Sequence, residues 1–174
     1  MLIEAGIELI NEEGVKGFSL RKVAAKCQVS HTAPYSHFRD VDDLIKAMGE
    51  HVTEQFVRKL EEAIQGLEGT PRAVSKLGRA YIDFFIENPL YFQFLFYNSS
   101  LTINMDQESP EDYPPFALFR HTAMDLFRSV NLPREEYSSK LFALWAMVHG
   151  IASLITNPGI TYTGNWQDAF RNVF

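Results

Sequence analysis

From Leu44 to Ile64 the chain carries a stripe that only a long helix can use. Leu44, Ile45, Met48, Val52, Phe56, Leu60 and Ile64 return at helical intervals along one side, and the stripe is longer than an ordinary strand. Asp40 stands just ahead of it, as an N-capping side chain should. One apolar face of that length needs other helices to cover it, and the neighbouring sequence supplies them.

Ahead of the long helix, Leu2, Ile3, Gly6, Leu9 and Ile10 predict an amphipathic first helix, with Gly14 placed to cap its end. Ser19 is a suitable N-cap for a short helix whose apolar face is Leu20, Val23 and Ala24. After a break at Cys27, Gln28 and Val29, a third short helix is expected from Ser30 to near Phe38. Pro34 complicates its start. With Ser30 as N-cap, Pro34 falls at the first position whose N–H should be bonded; with Thr32 as N-cap, it lies comfortably in the first turn.

Beyond a turn at Gly66 to Pro71, helical spacing continues through Val74, Leu77, Tyr81, Phe84 and Phe85 to a stop at Asn88 and Pro89. The stretch PLYFQFLFY reads as a short, nearly all-apolar helix. The polar, acidic, proline-bearing run from Asn98 to Pro115 reads as a loop. Helices are expected again over Phe116 to Val130 and Pro133 to Ile155. After the turn-rich NPGITYTG, a last helix carries Trp166, Phe170 and Phe174. No segment alternates as a strand does, so the predicted fold class is all-α, with about nine helices. With 46% apolar and 22% charged residues in 174, a sizeable core can be buried.

Charge is unevenly distributed. Between Gly14 and Arg39 the ionised side chains are Lys16, Arg21, Lys22, Lys26 and Arg39, with no acid among them. That window carries +5 and leaves −11 to the rest of a chain whose net charge is −6. A local basic patch attracts phosphate even on an acidic protein, because bound phosphates release their counterions. Two short helices joined by a tight turn after a longer helix are also the layout of a three-helix DNA-reading module. Ser30, His31, Thr32, Tyr35 and His37 present donors and acceptors suited to base edges and phosphates. Val29 and Phe38 are placed to anchor that segment, and Ala33 is small enough for close approach.

Other chemistries fit poorly. His31 and His37 are six residues apart and fall on different helix faces, so no metal site is expected. Cys27 has no nearby acid to orient a histidine, and the chain has no glycine-rich phosphate loop. Neither an enzyme nor a cofactor is expected. The single cysteine excludes an internal disulfide and fits a reducing cytoplasm. No apolar run is read as approaching the ~18 residues needed to span a bilayer, and no signal peptide opens the chain. A soluble cytoplasmic protein is the expectation.

The stretch FSLRKVAAKCQVSHTAPYSHFRDVDDL resembles the DNA-binding domain of the TetR family of bacterial transcriptional regulators. ENPLYFQFLF and WAMVHG resemble a TetR subgroup whose ligand domain carries a Trp…His-Gly signature. The resemblance implies a helix-turn-helix domain over residues 1–46 and a helical effector-binding and dimerisation domain over 47–174. It implies that Ser19, Arg21, Tyr35 and His37 hold phosphates and that His31, Thr32 and Ala33 face bases. Lys22, Ser30 and Arg39 complete the expected DNA-binding set. Where the family commonly has a phosphate-binding lysine this chain has Val41, with Arg39 or Lys46 as substitutes. Where the family's turn usually has glycine this chain has Gln28, requiring a variant turn or a strained backbone. The family's basic residues ahead of the first helix would precede Met1 of this sequence.

Aromatic residues crowd the second half, and most are expected to be core. The resemblance implies an effector cavity among them, with Tyr81, Phe85, Phe92, Phe96, Met124, Trp145 and His149 as candidate lining residues. His149, beside the mid-helix Gly150, is read chiefly as a satisfied core residue, with a close helix contact compensating for the glycine. Leu141, Leu144, Val148, Ile151, Ala152 and Ile155 wrap more than one face of their helix. With Trp166, Phe170 and Phe174 they form a candidate dimer interface. The expected protein is a homodimeric repressor. It binds a palindromic double-stranded DNA operator and is released by a largely apolar small-molecule effector. The alternative is a helical protein-interaction adaptor that has lost DNA binding.

Overall fold

The computed structural model describes residues 1–106 and 113–171, with the side chains of 169–171 left out. The described residues form eight α-helices and no strand. They group into two compact units, Met1–Gln55 with Asn88–Leu101, and Phe56–Glu87 with the chain from Thr102 onward.

The first unit is built around α1 (Leu2–Gly17), α2 (Leu20–Lys26) and the first half of α3 (Val41–Ile64). Ile7, Leu9 and Ile10 of α1, Leu20, Val23 and Ala24 of α2, and Leu44, Met48 and Val52 of α3 are among its buried apolar residues. Gly6 permits the approach of α1 to α3: a Cβ there would lie 2.8 Å from Met48 Sδ. Gly14 ends the regular part of α1, as its sequence position suggests. At φ 72° and ψ 171° it breaks the helix, and a further turn runs to Gly17. Ser19 caps α2 as expected, its Oγ accepting from the Lys22 N–H at 3.3 Å. Asp40 caps α3 by accepting from the Asp43 N–H at 2.8 Å.

The expected third short helix is not an α-helix. Only Ala33–Ser36 is helical, as a single 3-10 turn, and Thr32 is its N-cap residue. Pro34 explains why. It lacks an N–H and sits in the first turn, where none is needed. The bonds that follow span three residues, from Tyr35 N–H to Thr32 at 3.1 Å and from His37 N–H to Pro34 at 3.0 Å. Ser30, the other N-cap candidate, lies ahead of the turn, with its Oγ 3.1 Å from Thr32 Oγ1. Gln28 adopts the strained backbone, with φ 56° in the left-handed region that favours glycine.

Helix α5 (Pro89–Gln93) continues into a π-helical turn over Phe94–Asn98 and also packs on α1. A polar network ties these elements together. Glu4 Oε1 lies 2.7 Å from His51 Nε2 and accepts from the Tyr91 hydroxyl at 2.8 Å, and Gln55 Nε2 lies 2.8 Å from His51 Nε2. Asn11 donates to the Ile7 and Leu90 carbonyls and accepts from Asn98.

The second unit packs the rest of α3 with α4 (Pro71–Glu87), α6 (Pro114–Ser129) and α7 (Tyr137–Thr156). Its centre is aromatic. Phe56 of α3 meets Tyr81, Phe84 and Phe85 with ring centroids 4.7–5.1 Å apart. Trp145 of α7 contacts Tyr81, Phe116 and Phe119 at 4.9–5.3 Å. Such edge and tilted packings suit the ring quadrupoles. Helix α8 (Trp166–Arg171) ends the described chain.

Helix α7 corrects two expectations. With the preceding 3-10 turn it forms an apolar span from Arg134 to Thr156, which by length and composition alone is enough to cross a membrane. Scattered polar residues such as Ser138, Ser139 and Lys140 hide this when only unbroken runs are sought. Gly150 has no close helix contact: a Cβ there would meet nothing within 4 Å among the described residues.

Candidate nucleic-acid interface and ligand-domain site

The segment from Ser30 to His37 is displayed around a buried proline. Pro34 is buried and Val29, Ala33 and Phe38 are half-buried, while Ser30, His31, Thr32, Tyr35 and His37 are exposed. Tyr35 is 54% exposed. The structure thus brings together on one short segment the polar residues that the sequence singled out, and adds Pro34 as an anchor that sequence reasoning missed. A proline flanked by Ala33 and Tyr35 gave no periodic signal of burial.

The basic window is less available than its sequence suggests. Lys22 is ion-paired with Glu13. Lys26 lies between Glu12 at 3.0 Å and Glu8 at 3.2 Å, and the Glu12 hydrogen bond raises its pKa. Arg39 grips Asp43 with its guanidinium at 3.0 Å and its backbone N–H at 3.0 Å. The hydrogen bond from Arg39 lowers the Asp43 pKa, and the same pairing raises that of Arg39. Lys46, the other substitute for the lysine absent at Val41, is 3.6 Å from Glu50. Lys16 and Arg21 are exposed and have no ion pair among the described residues. The acids engaging Lys22 and Lys26 come from α1, and no local pattern in the basic window reveals them.

In the second unit, Tyr81, Phe85, Trp145 and His149 lie together. Tyr81 and Phe85 pack at 5.1 Å, and the His149 ring stacks on Trp145 at 6.3 Å and 14°. Tyr81 Oη lies 3.0 Å from His149 Nδ1. Burial lowers the His149 pKa and raises that of Tyr81 well above its ordinary value. Near neutral pH both groups are therefore neutral, and the imidazole tautomer sets which of them donates. Met124 is half-buried on α6. Phe92 and Phe96 belong to the first unit, where their rings pack at 4.9 Å.

Of the candidate interface residues, Leu141, Val148 and Ala152 are buried within their own chain, while Leu144, Ile151, Ile155 and Trp166 are half-buried. Phe170 and Phe174 lie outside the residues whose side chains are described. Phe142 and Leu154 are exposed at 59% and 54%. A shallow cavity of about 150 Å³ is lined by Leu154, Ile155, Ile160, Tyr162, Gly164 and Trp166.

Comparison with known proteins gives this geometry its family. Residues 2–48 match the bacterial regulatory proteins of the tetR family, and residues 74–173 match the tetracyclin repressor-like C-terminal domain. The chain belongs to the TetR family. The TetR family is one of bacterial regulatory proteins rather than enzymes. The chain is 27% identical over 93 residues to the uncharacterized HTH-type transcriptional regulator YobS of Bacillus subtilis, covering 53% of this chain and 48% of that protein. It is 33% identical over 67 residues to the HTH-type nicotine-responsive transcriptional repressor HdnoR of Paenarthrobacter nicotinovorans, covering 38% of this chain and 34% of that repressor. The matches thus span about half and about a third of these curated relatives. Among solved structures, a tetR-family regulatory protein from Rhodococcus RHA1 superposes with a TM-score of 0.73 at 13% identity, covering 99% of this chain and 90% of that one. A TetR regulator from Marinobacter aquaeolei VT8 gives 0.72 at 15%, with 98% and 90% covered. At such identities the likeness concerns the TetR fold alone.

Proposed function

We propose that this TetR-family regulator is a cytoplasmic homodimeric repressor that leaves a palindromic operator when a small, largely apolar effector binds. The observation that carries the DNA side is the exposure of Ser30, His31, Thr32, Tyr35 and His37 around the buried Pro34. His31, Thr32 and Ala33 face bases, while Ser19, Arg21, Tyr35 and His37 hold phosphates. Two such segments about one duplex turn apart, ~34–36 Å, would read successive major grooves. The 1–46 segment serves this reading, and 47–174 serves effector binding and dimerisation.

The repressor and effector parts are supported by the similarity to a repressor named as nicotine-responsive. The aromatic cluster of Tyr81, Phe85, Trp145 and His149 is closely packed, so a flat, mostly apolar effector would enter it by parting these rings and their one hydrogen-bonding pair. The dimer part is supported by α7: only 28% of its most apolar window is buried, leaving Phe142, Leu144, Ile151 and Leu154 with apolar surface to cover. An effector that prefers one conformation shifts the population toward spacings that do not fit the operator.

Gel shifts across a salt series, using the DNA upstream of the protein's own coding sequence, test the proposal. Salt-sensitive binding with one preferred fragment is expected. Absence of binding to every fragment would leave the adaptor reading in its place.

A further inference from the structure

Three of the five cations in the basic window are held by carboxylates, and the holding is organised. Lys22 and Lys26 are four residues apart on one face of α2. Glu8 and Glu12 are four apart on α1, and Glu13 follows. The two helices pack together, so Glu13 meets Lys22 while Glu8 and Glu12 both meet Lys26. Of these five cations, Lys16 and Arg21 have no ion pair among the described residues.

We infer that Glu8, Glu12 and Glu13 limit sequence-independent DNA binding by withholding the two α2 lysines from the phosphate backbone. The inference rests on the reading of α2 and the Ala33–Ser36 turn as the DNA interface. Random DNA is held almost wholly through phosphate neutralisation, so its affinity follows the number of cations free to take part. A lysine that engages phosphate must leave its carboxylate, and the carboxylate left behind then repels the same backbone. Base contacts from His31 and Thr32 form only in the correct register and do not depend on that exchange. The α1 acids therefore act mainly against binding in the wrong place.

The test compares the full-length protein with its Glu8→Gln/Glu12→Gln/Glu13→Gln variant. Binding is measured to a random duplex and to a site selected from a randomised library, over a salt series. A Glu54→Gln/Glu61→Gln/Glu62→Gln variant carries the same change in net charge on exposed positions of α3. Glutamine keeps helix propensity, and circular dichroism verifies that each variant folds. The expected result is a salt slope steeper by about 0.9 per protomer for each lysine released. Random-duplex affinity should rise roughly fivefold or more per protomer at moderate salt, with no such change in the α3 control. An unchanged slope and affinity, or an equal change in the control, would overturn the inference. If the unaltered protein fails to prefer any selected site over random duplex, the interface reading itself fails.

Discussion

The hydroxyl of Tyr91 donates to Glu4 Oε1 at 2.8 Å, joining α5 to the first turn of α1 across 87 residues of sequence. The same oxygen meets His51 Nε2 at 2.7 Å, so one carboxylate holds two other helices of its unit. Tyr91→Phe should cost about 1 kcal/mol of unfolding free energy, the usual net value of one hydrogen bond. Glu4→Ala should cost about 1–3 kcal/mol, since it also strips a partner from His51. Urea denaturation of both single variants and the double should show a double-mutant loss smaller than the sum. Full additivity would mean that the bond contributes nothing.

Acid sensitivity follows from the Tyr81–His149 pair. Burial lowers the folded-state pKa of His149, so the unfolded chain takes up the proton first as pH falls. The stability contributed by the neutral imidazole is complete above its ordinary pKa of about 6.5 and is lost progressively below it. Melting temperature should decline between pH 7 and pH 5, and His149→Gln should flatten that decline. A variant with an undiminished slope would place the acid sensitivity elsewhere.

Gln28 pays for its left-handed backbone. Glycine removes a strain of about 1–2 kcal/mol but loses about 0.4–1 kcal/mol through the looser unfolded chain. Gln28→Gly should therefore stabilise the protein by roughly 0.5–1 kcal/mol in thermal or urea unfolding.

Tyr35→Ala should weaken binding to all duplexes alike, as loss of a backbone contact does, whereas Thr32→Ala should change sequence preference by about 1–3 kcal/mol at one position. Binding to a randomised site library reads both. Uniform weakening by Thr32→Ala would remove it from the base-reading set.

Gly150→Ala separates the chain alone from its proposed dimer. A Cβ at Gly150 meets nothing within 4 Å among the described residues, so alanine should add about 1 kcal/mol of helix stability. If a partner's helix approaches there, the same methyl should raise the dimer dissociation constant. Sedimentation at several concentrations, alongside unfolding, distinguishes these effects.

Much of this was legible in the sequence because it rests on local signals. The α3 stripe and the Ser19 and Asp40 caps each follow from spacing or from one side chain beside one backbone group, whereas strain at Gln28 was one of two readings that the family resemblance implied. The start of the reading turn was legible only as a choice between Ser30 and Thr32, and proline's missing N–H decides it in favour of Thr32. What sequence spacing could not reveal was tertiary. Glu12 and Lys26 are 14 positions apart, and nothing local states that one neutralises the other. Helix propensity shows that Gly150 carries a cost but names no neighbour to offset it, and none of the described residues of this chain lies close to it.

Pro34 is a pivot that cannot turn. Its ring fixes one backbone torsion where the polar side chains leave the core, and its burial fixes the ring. The segment proposed to meet DNA therefore has little disorder left to lose on binding, so more of each contact's energy would remain as affinity. It also means that positions 31, 32 and 35 can exchange side chains while the turn stays the same. A new operator preference can then arise by substitution on a fixed mount, without rebuilding the domain that carries it.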